Sequence, residues 1–202
     1  MPLWIEYAAC AVCAISGVLA ANGKHMDLFG AIILALVTAL GGGTVRDLCL
    51  GIRPVFWITA PNYLVISLVT AIGTFILARG FKFPERTLGV ADAFGLALFG
   101  IIGTEKALQL NASASVAIFM GVITGVAGGI IRDVLRSELP LVFRPQIYLY
   151  STAIFGGASV FVFLEKTFEA APSHRYIGMG LILVLLLAAM RWRLALPIYK
   201  EK

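Results

Sequence analysis

The pattern Gly-Gly-x-x-Arg-Asp occurs twice, at Gly42-Gly43-Thr44-Val45-Arg46-Asp47 and at Gly128-Gly129-Ile130-Ile131-Arg132-Asp133, both times inside a long apolar run. The copies lie 86 residues apart, and the same offset carries Glu6 onto Asp92, Gly17 onto Gly103, Pro54 onto Pro140 and Trp57 onto Phe143. Further on the alignment slips, so that Pro61-Asn62-Tyr63 falls against Pro145-Gln146-Ile147-Tyr148. A charged motif recurring at corresponding places in two hydrophobic blocks marks an internal repeat. Seven apolar segments are visible, near residues 3–22, 28–43, 63–78, 88–108, 113–129, 147–164 and 176–190. Each approaches the roughly 20 residues that cross about 30 Å of hydrocarbon. The repeat unit holds three of them. An odd number sends the second copy into the membrane from the opposite side, so the halves should be related by a two-fold axis in the membrane plane.

The fold expected is therefore an all-α integral membrane protein of seven transmembrane helices, built as three plus three with one additional C-terminal helix. It forms a single transmembrane domain: repeat one over about 3–80, repeat two over about 87–166 and the extra helix over about 175–194. Composition agrees. Of 202 residues 60% are hydrophobic and only 13% charged, with a mean hydropathy of +0.94, whereas a soluble domain is about a quarter charged. A chain this small cannot enclose so much apolar surface in one core, which leaves lipid as the solvent. The net charge of +5 would suggest nucleic acid in a soluble protein, but the basic residues sit at the ends of apolar runs, where they anchor topology. Lys24, Arg79, Lys82, Arg86, Arg136, Arg144, Arg191, Arg193, Lys200 and Lys202 fall on one side, against chiefly Arg53, Lys166 and Arg175 on the other. The richer side is expected to be cytoplasmic, with the N-terminus outside and the C-terminus inside. The start, Met1-Pro2-Leu3-Trp4-Ile5-Glu6, lacks the basic stretch of a cleaved signal.

Segments two and five carry the unusual chemistry. Each runs into a glycine cluster, then an Arg-Asp pair, then a proline. Gly41, Gly42, Gly43 and Thr44 in one, and Gly128 and Gly129 in the other, are expected to break the helices and line a pathway. Ala127 stands where the first cluster has Gly41, so the second break should be milder. The plainer alternative is close packing, which is the reading given to Gly121-Val122-Ile123-Thr124-Gly125. Packing, however, does not call for charge. Arg46, Asp47, Arg132 and Asp133 each cost about 2.5–3.5 kcal/mol at a helix centre. Because sequence neighbours do not face each other on a helix, Arg46 is expected to pair with Asp133 and Arg132 with Asp47. These charges would brace the pathway. Segment four adds Asp92, the mate of Glu6, and Glu105 and Lys106 near its far end. Lys106 either points into the pathway, where it would feel the transmembrane field, or snorkels to the interface.

No enzyme chemistry is legible. Cys10 and Cys13 form a lone C-x-x-C on an apolar run and read as buried small side chains. His25 and His174 are placed in loops. The sequence has neither H-E-x-x-H nor a phosphate-binding loop, so no catalytic residue, metal site or cofactor is assigned.

The run Gly41-Gly42-Gly43-Thr44-Val45-Arg46-Asp47, followed by Arg53-Pro54-Val55-Phe56-Trp57, resembles the prokaryotic trimeric intracellular cation (TRIC) channel family, and the second copy over 128–136 strengthens the likeness. The resemblance spans about residues 4–194 and reaches bacterial proteins classed as glycine transporters. It implies a homotrimer in a bacterial or archaeal inner membrane, with a separate pore within each subunit. That pore would pass monovalent cations, potassium before sodium, and be gated at the glycine breaks, with Lys106, beside Glu105, as the gating residue. Membrane lipid is the other implied partner and nucleic acid is none. The residues themselves leave three readings open: a passive cation channel, a secondary transporter for a small zwitterion such as glycine, and a membrane scaffold or assembly factor.

Overall fold

Asp27 and Ser113, again 86 apart, start the two central helices. The Gly30 amide donates to Asp27 Oδ1 at 2.7 Å, and the Val116 amide to the Ser113 hydroxyl at 3.4 Å, the usual satisfaction of a free amide at a helix start. In this computed structural model, which describes residues 1–24, 26–81, 83–84, 86–144, 150–169, 171–192 and 194, these helices are α2 (Leu28–Cys49) and α6 (Ala114–Leu135). They also end alike. Gly51 and Ser137, once more 86 apart, both take the left-handed conformation, with φ +71° and +56°. The Ile52 amide then reaches back to Asp47 O at 2.8 Å and the Glu138 amide to Asp133 O at 3.0 Å, closing the last turn of each helix.

Around this pair stand α1 (Leu3–Ala21), α4 (Asn62–Gly80), α5 (Thr87–Gln109), α7 (Tyr150–Thr167) and α8 (Pro172–Trp192). A one-turn helix, α3 (Phe56–Thr59), follows α2, and a 3-10 turn (Leu141–Phe143) follows α6 at the matching place. The packing repeats as the sequence does: α1 lies on α2 and α4, α5 lies on α6 and α7, and α2 meets α6 at the centre. α8 has no counterpart and rests on α5 and α7. Large apolar side chains such as Phe29, Val69, Ile76, Phe163 and Val184 are exposed around the outside, a surface suited to hydrocarbon rather than water.

Six helices, α1, α2, α4, α5, α6 and α8, are long and apolar enough to cross a membrane. The expected sixth segment, 147–164, corresponds to α7, whose 18 residues end in Glu165-Lys166-Thr167; residues 145–149, including the slipped alignment at Pro145, lie outside the described residues. His25 lies outside them too. His174 sits not in a loop but in the first turn of α8, buried, with Nδ1 3.1 Å from Glu165 Oε1.

The expected breaks do not occur. α2 stays α-helical through Gly41, Gly42 and Gly43, and α6 through Gly128 and Gly129. In lipid a break strands backbone polar groups, and an unbroken helix satisfies them internally. The glycines instead allow contact. A Cβ at Gly42 would overlap the Thr124 carbonyl oxygen, and one at Gly128 the Thr38 carbonyl oxygen. The two contacts interchange under the 86-residue offset, as a two-fold relation between the halves requires. Gly121 likewise lies against Thr104 and the Gly100 carbonyl, so the G-x-x-x-G serves packing as expected.

Gly42→Ala and Gly128→Ala should each lose about 1–3 kcal/mol through overpacking, seen as a lower unfolding midpoint in detergent. Gly73→Ala, where an added Cβ meets nothing within 4 Å, should instead hold or raise that midpoint.

Candidate functional site

One helical turn beyond each of these glycines stands a buried arginine: Arg46 follows Gly42, and Arg132 follows Gly128, by four residues or about 6 Å of helix. Arg132 is fully enclosed. Its Nη1 and Nη2 meet the two carboxylate oxygens of Asp92 on α5 at 2.6 and 3.0 Å, a bidentate pair. Its Nε donates to Asp133 Oδ1 at 2.8 Å. Ser16 of α1 is bonded to both Arg132 and Asp92. The Tyr150 hydroxyl of α7 donates to Asp92 Oδ2 at 3.4 Å. The other oxygen of Asp133 accepts the Leu141 amide at 3.0 Å and so fixes the 3-10 turn.

Repeat one uses the same parts in a different arrangement. Arg46 Nε donates to Asp47 Oδ1 at 2.8 Å, and Asp47 Oδ2 accepts the Phe56 amide, also at 2.8 Å, which fixes α3. The guanidinium lies 5.5 Å from the centre of the Phe56 ring, within cation–π range. Glu6, the mate of Asp92, accepts instead from the Tyr63 hydroxyl at 2.5 Å. Arg46 forms its ion pair with Asp47 and none with Glu6 among the described residues.

The expected cross-pairs, Arg46 with Asp133 and Arg132 with Asp47, are therefore not formed. At a helix's last turn a long arginine side chain can fold onto its neighbour's carboxylate, and the rule against adjacent partners applies to straight projection from the helix surface. Each aspartate is also held by the turn that follows its own helix. The carboxylate that Arg132 reaches across a helix boundary is Asp92.

Beside this cluster lies a narrow cavity of about 20 Å³, lined by Cys13, Thr38, Gly42, Asp92, Thr124, Gly128, Gly129 and Tyr150 among others. That is room for about one water. Of the expected lining residues, Gly42, Gly128 and Gly129 are there. Gly41 faces Ile131, Gly43 faces the Phe56 ring, and the Thr44 hydroxyl donates to Leu40 O at 2.8 Å while accepting from Trp57 Nε1 at 3.0 Å. Besides Asp92 and Tyr150, the polar lining comes from Thr38 and Thr124, whose hydroxyls are turned to the carbonyls four residues back. Their 86-residue spacing was legible in the sequence. Ser16 and Tyr150 carried no such signal, since the offset brings Ser16 onto Ile102.

Lys106 is exposed on the outside of α5 and does not line the cavity. Its neighbour Glu105 is buried, with Oε1 3.1 Å from the Met1 nitrogen and 3.5 Å from Arg175 of α8. Near the end of the bundle that carries the Arg132 cluster, Glu138 gathers Lys24 at 2.8 Å, Arg136 at 3.2 Å and Arg144 at 2.7 Å. Lys24 belongs to the α1–α2 turn, so this carboxylate ties the two repeats together. Hydrogen bonds from Lys24 and Arg144 hold Glu138 at about 2, well below its ordinary 4.5. Among the described residues no group of three or more His, Cys, Asp or Glu is placed to hold a metal ion.

A family model described as glycine transporter matches residues 3–79 and 89–166. The inner membrane protein YadS of Escherichia coli (strain K12) is 46% identical over 199 residues, covering 97% of this chain and 95% of that protein. A membrane protein of Deinococcus radiodurans is 36% identical over 189 residues, covering 94% and 85%. Among solved structures, the TRIC trimeric intracellular cation channel orthologue from Rhodobacter sphaeroides superposes with a TM-score of 0.85 at 38% identity, covering 95% of this chain and 98% of its own. A second TRIC cation channel, solved to explain conductance, gives 0.89 at 30% identity, covering 100% and 98%.

Two outcomes follow from the charges. Arg132→Gln leaves Asp92 buried without its cation, and Asp133 with Arg136 at 3.6 Å, and should cost about 3–5 kcal/mol; Arg46→Gln should cost less, because Glu6 does not depend on it. Unfolding midpoints in detergent measure both. For Glu138 the folded value lies below the unfolded one, so its contribution is complete above about 4.5 and disappears as pH falls through about 2. The midpoint difference between wild type and Glu138→Gln should accordingly be constant at neutral pH and shrink across that acid window.

Proposed function

Since the chain belongs to the trimeric intracellular cation channel family, we propose that it passes monovalent cations, potassium first, along a path inside each subunit. It does so as a multi-pass protein of the inner membrane, N-terminus outside, assembled as a homotrimer like the channel from Rhodobacter sphaeroides. The observation that carries this reading is the cavity at the crossing of α2 and α6, where Gly42, Gly128, Thr38 and Thr124 meet on the axis between inverted halves. A space of about 20 Å³ suits a water or a largely dehydrated ion. Asp92 lines the cavity while paired with Arg132, so its negative charge reaches the approach only when that pair opens. Gating belongs at this crossing rather than at breaks: a small displacement of α2 against α6 widens a contact that glycine alone permits. Arg46–Asp47 and Arg132–Asp133 brace the helix ends on either side. Lys106, exposed on α5, is a candidate only for a gating role exerted from the outer surface.

The description of the matched family model favours a second reading, transport of glycine. Two features weigh against it. Unbroken helices offer no free N-termini at mid-membrane to a substrate carboxylate, and the cavity has room for about one water. Recording in planar bilayers decides: discrete potassium currents support the channel, while silent bilayers with saturable glycine uptake in liposomes overturn it. Gly42→Ala, which thickens the crossing, should reduce potassium conductance at least several-fold.

A further inference from the structure

The two halves carry the same charged parts and connect them differently. In repeat two Asp92 of α5 grips Arg132 of α6 through two bonds, with Tyr150 on the same carboxylate. In repeat one the equivalent Glu6 of α1 holds Tyr63 alone among the described residues, and Arg46 of α2 turns to Asp47 and Phe56. The equivalent positions thus take two arrangements in this structure, an engaged one in repeat two and a released one in repeat one.

The α2–α6 crossing offers a mechanical link between the two arrangements. α2 and α6 touch backbone to backbone at Gly42 and Gly128, and each arginine sits about one turn, or roughly 6 Å, beyond that contact on opposite sides of it. Rocking about this pivot brings one arginine towards its carboxylate as it withdraws the other. We propose that Arg132–Asp92 and Arg46–Glu6 are alternating latches across the pathway, and that this structure has the first closed and the second open. Ser16 explains the preference: it adds a hydroxyl from α1 to the Arg132 latch, and Ile102 at the matching position can add none. The inference rests on the pathway reading above, but its own readout is access to the cavity rather than ion flow.

Cys13 lines the cavity beside Asp92 and serves as reporter. With Cys10→Ala and Cys49→Ala, the full chain in oriented proteoliposomes is exposed to a membrane-impermeant cationic methanethiosulfonate from the side bearing Arg132. Asp92→Asn should label Cys13 at least tenfold faster than the parent. Glu6→Gln alone should leave the rate within twofold, because its latch is already open. Added to Asp92→Asn, Glu6→Gln should also speed labelling from the opposite side. Ser16→Ala and Tyr150→Phe keep every charge, and so separate access from electrostatic effects on the thiol; each should label about two- to fivefold faster. Unchanged labelling in Asp92→Asn, or in both charge-preserving variants where Asp92→Asn does not yield monodisperse protein, overturns the latch. Glu6→Gln without effect in the Asp92→Asn background overturns the alternation. Faster labelling without potassium flux in any variant upholds the latch and rejects the channel reading instead.

Discussion

The Arg132 guanidinium, enclosed among α1, α5 and α6, is the interaction on which the second half of the bundle depends. A cation at that depth is tolerable only when its donors are met, and here they are met by Asp92, Asp133 and Ser16. The same contacts do structural work at three levels. Asp92 joins α5 to α6, Ser16 draws in α1 from the other repeat, and Asp133 passes on to the Leu141 amide, setting the turn that leads towards α7. Removing the arginine would therefore loosen a junction of helices as well as an ion pair.

Between helices in hydrocarbon there is little hydrophobic force to gain, because lipid tails solvate leucine as well as another helix does. Association then rests on close packing and polar contacts. The α2–α6 crossing follows that logic. Gly42 and Gly128 bring two backbones together, and the Thr38 and Thr124 carbonyls lie where a methyl group would otherwise sit. A contact made largely of backbone surface, with Ile131 against Gly41 as a side-chain contact, resists sliding weakly. The crossing is thus a close backbone approach that also borders the cavity, so a small movement there changes its lining.

The places where expectation and structure part are instructive about glycine and about arginine. A run of three glycines lowers helix propensity, yet in lipid the intrahelical hydrogen bonds are worth more than the propensity lost, so α2 passes through Gly41–Gly43 unbroken. For the charges, symmetry correctly marked Arg46 and Arg132, Asp47 and Asp133, and Glu6 and Asp92 as equivalent pairs. It could not say which carboxylate each arginine takes, because that depends on helix tilts of a few ångströms. Thr44 illustrates the same limit: as part of the motif it looked like lining, but the Trp57 indole already occupies it.

The membrane setting, the inverted repeat and the identity of the charged stations were readable from the chain alone. These follow from the length of the apolar runs, the 86-residue offset and the cost of charge in lipid, all of which are local or periodic properties of the chain. Only the tertiary structure decided that the glycines pack rather than break, that Asp92 is the partner of Arg132, and that Ser16 and Tyr150 complete its shell. Those outcomes depend on distances between helices far apart in sequence, and residues such as Ser16, which falls on Ile102, have no like counterpart in the other repeat, so no periodicity points to them.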